Sequence, residues 1–464
     1  VLASTFILGG TVYAQNPSDI DAGFGSEGFS FTNHLENADE FLYKTITLSN
    51  DKILSVGFSV SGSQDILLVK YNVDGTQDIT FGNLGVLSID LSIGGDEQGY
   101  SVAELEDGKL LVVGVVEGMS SNDAFILKLE ANGDFDATFA NGAGYTRLNA
   151  GSETASIAYD LHVNDDNSIL VAGSVMNDLD DPDFVVYKLT EDGELNASFS
   201  SSGSTLIDNV AGTELLTSMD VDANGNIYLA GTTEVNGEVS GFLVKLNSYG
   251  IIDNSFNTTG KVIYHSGADG HAFNDVKIVS GNKVMITGYE GTGDNIDGII
   301  LRYNTDGSAD ETFSSDGKQV SDIGASNGVY LFQLEEYEDG RIIVTGNVNG
   351  ASMKGIYAMM LLEDGAPDFD FAAGGDVIHD FPISISNLEL RCMALQSNGK
   401  IVIAGNVTGQ DFTDVNMMMT RLHIEAVVGL DELSNSELKI FPNPMNDVFQ
   451  IATDANVHQL NMVD

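Results

Sequence analysis

Apolar residues along this chain fall into short runs, rich in β-branched and aliphatic side chains and bounded by turn-forming residues. One stretch shows the pattern: residues 146–148, 158–163, 168–172 and 184–189 read as four consecutive strands. The pairs Asp74-Gly75, Asp107-Gly108, Asn132-Gly133, Asp192-Gly193, Asp306-Gly307, Asp339-Gly340, Asp364-Gly365 and Asn398-Gly399 supply tight turns, because these residues tolerate positive φ. Several runs, such as 110–113 and 342–344, are apolar on both faces, as expected of sheets sandwiched between neighbours. The predicted unit is a four-stranded β-meander.

That unit recurs seven times. Phe24, Phe81, Phe139, Phe199, Phe256, Phe313 and Phe371 stand 57 to 60 residues apart, marked in all but Phe199 by an acidic residue three positions earlier. Six carry glycine four positions later, at Gly28, Gly85, Gly203, Gly260, Gly317 and Gly375. About thirty residues on, each copy has a β-rich run ending in Gly57, Gly114, Gly173, Gly231, Gly288, Gly346 or Gly405. Seven such sheets stacked around an axis make an all-β, seven-bladed β-propeller of four-stranded antiparallel blades, which leaves only short protected edges. A parallel β-helix repeats at half this length or less, and no half-period is present.

Asp253-Asn254-Ser255-Phe256-Asn257-Thr258-Thr259-Gly260 and Asn398-Gly399-Lys400-Ile401-Val402-Ile403-Ala404-Gly405 resemble the delta-60 repeat family, over residues 20–423. The resemblance implies a fold and no defined activity.

With 42% hydrophobic residues the chain can bury a large core, and with 19 Lys and Arg against 69 Asp and Glu its net charge is −50. This field repels phosphate backbones and anionic lipid, so nucleic acid is not an expected partner. The acidity reads as a solvated shell, with retention of divalent cations as the sharper alternative. The single cysteine, Cys392, stands where other copies carry Ser101, Asp160 or Ser218, so stability rests on packing and no nucleophile is implied. No stretch is long enough for a transmembrane span.

The scarce bases are in phase. Lys70, Lys128, Lys188, Lys245, Arg302 and Arg421 share a position near the end of the fourth strand, and Lys52, Lys109, Lys283, Arg341 and Lys400 share another beside a turn. The expected partner of the first set is the acidic residue eight positions on: Lys70 with Asp78, Lys128 with Asp136, Lys245 with Asp253, Arg302 with Asp310. Each structural ion pair is expected to clamp one blade to the start of the next. Two copies depart, with Lys188 facing Asn196 and Met360 facing Asp368, which a packing device tolerates better than an anion-binding ring.

Two stretches offer metal ligands. Asp220, Asp222 and Asn224, followed by Gly225, have the spacing that opens a calcium loop, but no acidic residue stands at the twelfth position, and the turn recurs elsewhere with other residues. An ordinary hairpin is the simpler reading. His265, Asp269 and His271 share one inter-strand loop that can bring two imidazoles and a carboxylate to a metal. No esterase elbow, zinc-protease pair, phosphate loop or dinucleotide fingerprint occurs, so no catalytic residue and no cofactor beyond possible calcium is expected. A glycosidase-type carboxylate pair is defined only in three dimensions. Trp is absent, and the 15 Tyr are the available sugar platforms.

The ends carry export signals. Residues 1–14 read as a partial signal peptide, apolar and small up to Val12-Tyr13-Ala14. The propeller is expected over 15–423 and a linker over 424–437. Leu438-Lys439-Ile440-Phe441-Pro442-Asn443-Pro444, then a strand at 448–451, resembles the opening of the C-terminal sorting domain of the type IX secretion system of the Bacteroidota, so 438–464 reads as a partial domain of that kind. The resemblance implies the type IX export machinery as a partner and a secreted or outer-cell-surface location. The expected function is a non-enzymatic binding or adhesion module for a protein or glycan partner, with irregular loops around 176–183 and 266–273. The alternatives are an extracellular polysaccharide hydrolase or lyase at the channel mouth, and a calcium-stabilised scaffold. Unusual polar residues from several copies gathered at the channel would favour the enzyme.

Overall fold

The β-rich runs form 28 strands in seven four-stranded antiparallel sheets in the computed structural model. It describes residues 16–425, apart from short segments at 35–37, 92–94, 118–121, 149–154, 177–180, 201, 209–211, 236, 268–269, 293–294, 325–326, 351–352, 381–384 and 410–411, and three tail strands. Blade 1 comprises Asp39–Thr47, Ile53–Ser61, Ser63–Tyr71 and Val86–Ile89, hydrogen-bonded in that order. Blades 2 to 6 follow over residues 97–148, 156–207, 214–264, 271–321 and 327–380. The first strand of each blade touches the first strands of its neighbours, which makes it the innermost strand, around the axis.

The repeat read from sequence and the structural blade differ in phase by one strand. Residues 146–148, expected to open the third copy, lie in Tyr145–Leu148, the outermost strand of blade 2. The same offset closes the ring. Blade 7 takes Ile385–Leu395, Ile401–Gly409 and Phe412–Leu422 from the end of the repeat and its outermost strand, Phe29–Thr32, from the beginning, in the register Phe29↔Thr420 to Thr32↔Met417.

Packing follows from strands that are apolar on both faces; Leu110–Glu117 is buried at every residue but its last. The core is therefore divided into seven clusters, one at each blade junction, and the cluster joining blade 7 to blade 1 contains Phe24, Leu42, Leu67, Val402 and Met417. The seven marker phenylalanines are at most 2% exposed. Each of the first six packs beneath a turn glycine of the next blade. At Gly75, φ is +81° and an added Cβ would lie 2.7 Å from the Phe24 ring, so both the backbone and the space demand glycine. The residue after the phenylalanine donates its N–H across the same junction, as in Gly25 to Asp74 O at 2.7 Å and Asn257 to Asp306 O at 2.6 Å.

Beyond the propeller, Lys439–Pro442, Val448–Ala452 and Val457–Asn461 form a three-stranded antiparallel sheet. The signal-peptide segment 1–14 and most of the linker lie outside the described residues. Among those described, no helix is long and apolar enough to cross a membrane.

Candidate functional site

Every innermost strand carries a β-bulge directly after the residue that pairs with the marker glycine, and that of blade 7 has a second register shift between Ile385 and Asn387. Leu42 pairs with Gly57 and Lys44 with Val56, so Tyr43 is the extra residue. The same shift places Tyr100, Tyr159, Thr217, Asn274, Phe332 and Arg391 as the extra residues of blades 2 to 7. A bulge bends its strand and re-aims its side chain. Here the bulged residues and most of those that follow them line one cavity of about 120 Å³ around the axis, with contributions from all seven blades.

The cavity wall is uneven. Tyr43 and Tyr100 meet edge-to-face at 4.6 Å between centroids, Tyr159 continues the row at 5.2 Å, and the Arg391 guanidinium lies 4.6 Å from the Tyr43 centroid. Burial holds the three phenols above their ordinary range, so they are neutral hydroxyls. On the opposite side Thr217 Oγ1 donates to Phe273 O at 2.8 Å and Asn274 Nδ2 to Leu331 O at 2.6 Å, each tying its bulge to the next blade.

Behind this ring the carboxylates are occupied. Asp160 accepts from Ser101 Oγ at 3.0 Å and from the Met219 N–H at 3.1 Å; Asp275 accepts from Ser218 Oγ at 2.8 Å and from the Leu334 N–H at 3.1 Å. Gln333 likewise accepts from the Met393 N–H at 2.8 Å. Burial raises the Asp275 carboxyl to about 6, and the charge of Asp160 leads those that raise Lys44. These carboxylates thereby join neighbouring blades. Cys392, in the same layer, is buried, which pushes its thiol up to about 11 and removes the thiolate a nucleophile needs.

The phased bases converge on the phased aspartates. Lys128 Nζ lies 3.8 Å from Asp136, Lys245 3.0 Å from Asp253 and Arg302 2.7 Å from Asp310. Asp78 is paired instead by Lys52 at 2.8 Å, while Lys70 sits 5.4 Å from the centroid of Phe81. The second set of bases, read from sequence only as lying beside a turn, thus serves the same acids: Lys109 with Asp136 at 2.9 Å and Lys283 with Asp310 at 3.1 Å. Each acid lies in the connection between the third and outermost strands and meets bases of its own blade, on the third strand (Lys128, Lys245, Arg302) or at the start of the second (Lys52, Lys109, Lys283), while Arg302 Nη1 reaches into the next blade by donating to Glu363 O. Ring closure builds one more: Asp21 meets Arg421 at 2.6 Å, Lys400 at 3.0 Å and His423 at 3.5 Å.

Burial alone would raise these acids, but hydrogen bonds outweigh it: from Lys52 and Thr80 to Asp78, from Thr138 and Lys109 to Asp136, and from Thr312 and Lys283 to Asp310. All three are held at about 2, against 3.8 in an unfolded chain. A depressed carboxyl contributes its stability above the unfolded value and loses it as pH falls through the folded value. Through these three groups the urea midpoint should therefore fall as pH is lowered between about pH 4 and 2. A midpoint unchanged over that interval would remove these pairs from the stability of the fold.

The described residues of the two sequence-predicted metal sets make other contacts, although the His265 and His271 rings lie 5.0 Å apart. Asp222 Oδ1 accepts from the N–H groups of Asn224 and Asn226 at 2.8 and 3.0 Å, and its Oδ2 from Asn226 Nδ2 at 2.8 Å. Asp220, on the innermost strand Glu214–Val221, turns to the next blade and accepts from the Ile278 N–H at 2.6 Å. The three candidates thus face different partners within a hairpin. His271 Nε2 accepts from the Ser266 N–H at 3.2 Å and its Nδ1 faces Val239 O at 3.3 Å, so both ring nitrogens are engaged. His265 faces Glu238 at 3.3 Å, and Asp269 lies outside the described residues.

The bulged ring was missed in the sequence although its signal is there. Each bulged residue stands fourteen positions before a marker glycine, from Tyr43 and Gly57 to Arg391 and Gly405.

No protein of curated function matches the chain. Among solved structures it is similar to a protein of unknown function from Dyadobacter fermentans (13% identity, 86% of this chain and 98% of that one, TM-score 0.46). It is also similar to an ulvan lyase, a polysaccharide lyase (10%, 89% and 96%, TM-score 0.47), and to Drosophila Plexin A (8%, 88% and 88%, TM-score 0.42). Residues 48–81, 105–139, 165–199, 223–256 and 282–313 match a domain of unknown function (DUF5122) β-propeller. The chain is a seven-bladed propeller, and five segments within its seven repeats match the DUF5122 model.

Proposed function

We propose that the protein is an exported, non-enzymatic binding module that takes the end of a glycan at the mouth of its channel. The observation that carries this reading is the bulged ring. Seven equivalent positions turn towards one cavity while their identities diverge to three tyrosines, threonine, asparagine, phenylalanine and arginine. Packing alone asks for similar residues at equivalent positions of a repeat; a ligand asks for different ones. Aromatic faces backed by neutral hydroxyls, amides and one guanidinium suit a polar ring, and a cavity of about 120 Å³ has room for about one such ring. The ring also draws polar residues from several copies to the channel, the pattern an enzyme would share. The engagement of Asp160 and Asp275 with the next blade favours binding over hydrolysis or elimination.

Export rests on the apolar segment at residues 2–12 and on Phe441-Pro442-Asn443-Pro444, and it is tested by finding the chain in the culture medium or on the outer surface of the producing cell. Binding is tested on a glycan array, followed by titration of the best glycan. Tyr100→Ala should weaken binding by about tenfold or more while the protein still unfolds cooperatively. Binding unaffected by Tyr100→Ala and Arg391→Ala together, or turnover of a polysaccharide, would overturn the reading.

A further inference from the structure

Where one blade hands over to the next, three equivalent positions come together: one on the third strand, one just past the outermost strand, and one on the next innermost strand. Asp65 pairs opposite Ser59, two residues past its marker glycine, as Asp183 does opposite Val175 and Ser240 opposite Thr233. Glu97, Glu214 and His271 pair with the corresponding positions Val116, Thr233 and Glu290. Between blades 1 and 2 the three are Asp65, Asp90 and Glu97, and between blades 3 and 4 they are Asp183, Asp208 and Glu214; in each trio the carboxylate oxygens lie within 4.8 Å of one another. Between blades 4 and 5 the same positions hold Ser240, His265 and His271.

The junctions meet their charge differently. Between blades 2 and 3, Arg147 pairs Asp123 at 2.5 Å. Between blades 3 and 4, Lys261 feels the charges of Glu214 and Asp208. Between blades 1 and 2, no ion pair reaches Asp65 or Glu97 among the described residues. Glu97 is 0% exposed, points into the trio, and has neither carboxylate oxygen hydrogen-bonded. Burial, then Asp90 and Asp65, pushes its carboxyl up to about 7, and the nearby Leu91 N–H that opposes them lies outside hydrogen-bonding geometry. A buried carboxylate beside two others and without a donor is an arrangement that a cation resolves.

We infer that Asp65, Asp90 and Glu97 form a binding site for a hard divalent cation, Ca²⁺, that joins blade 1 to blade 2. All three ligands are oxygens. Ca²⁺ takes oxygens at about 2.3–2.6 Å, so two of its ligands stand no more than about 5 Å apart. Asp90 is exposed, which leaves the remaining coordination to water.

Thermal unfolding of the whole protein tests this, in Ca²⁺ against chelator at about 0.15 M salt, where diffuse attraction to the acidic surface is largely screened. Ca²⁺ at about ten times its dissociation constant should raise the midpoint by about 2 °C. Glu97→Gln should abolish the rise and melt no lower than wild type in chelator, since it removes a buried unpaired charge. Asp65→Asn should abolish it too, and covers the case in which Glu97→Gln fails to fold. Asp208→Asn should leave the rise intact. No rise in the wild type, an equal rise in Asp65→Asn, or a rise lost only in Asp208→Asn would each overturn the assignment.

Discussion

Asp21→Ala should lower the unfolding free energy by about 3–5 kcal/mol, as expected when one partner of a buried ion network is removed and the other charges are left behind. Asp21 is 5% exposed, and its carboxylate joins Arg421 and Lys400, from the end of the repeat, to the segment that leads into the outermost strand of blade 7. Main-chain bonds run alongside, Ser18 N–H to His423 O at 2.7 Å and Asp21 N–H to Arg421 O at 2.8 Å. Without the carboxylate, Arg421 stays buried and Phe29–Thr32 loses its anchor, exposing the edge of Phe412–Leu422 to other chains. The comparison is Asp78→Ala, whose partner Lys52 is 30% exposed and recovers water when released, so its loss should be the smaller. Urea titrations of both variants decide the matter. Equal midpoint shifts would mean that closure needs no more electrostatic help than any other blade.

Closure was the part of the fold least legible in the sequence. A repeat is cyclic, and nothing in a single period marks which of its four strands comes first, so a meander starting at 146–148 fits the pattern as well as one starting at Ser156–Val163. Only the ends break the tie, because a strand left over at the beginning must find a blade short of one at the end. The partner of Asp21 was hidden for the same reason: counting eight positions forward from Arg421 leaves the repeat, whereas continuing around the ring returns to Asp21. Seven copies, four strands, turns and buried phenylalanines were all readable, since each rests on local chemistry. The second base on each aspartate was not, because Lys109 and Asp136 are 27 residues apart and meet only when neighbouring strands align. The binding ring was obscured by divergence: a search for what the copies share passes over the position at which they differ.

The same geometry explains why the marker glycines do not vary within the chain, and it sets the second large effect. An added Cβ at Gly57 would lie 1.7 Å from Phe41 O, and at Gly114, Gly173 and Gly288 it would lie 1.9 Å from Gln98 O, Ile157 O and Ala272 O. These carbonyls belong to the bulge approach of the innermost strand, so the obstacle is backbone and cannot swing aside as a side chain would. Gly57→Ala should cost about 3 kcal/mol or more, at the upper end for overpacking, and should release Tyr43 from its place in the ring. Gly62→Ala provides the contrast: φ there is +96° and nothing lies within 4 Å, so backbone strain of about 1–2 kcal/mol is all it should cost. Urea unfolding ranks the two, and glycan titration of whatever Gly57→Ala protein folds reports the bulge separately. A Gly57→Ala protein as stable as Gly62→Ala would show that the innermost strand relaxes around a methyl group, and the ring of seven residues would then owe its position to something other than the bulge.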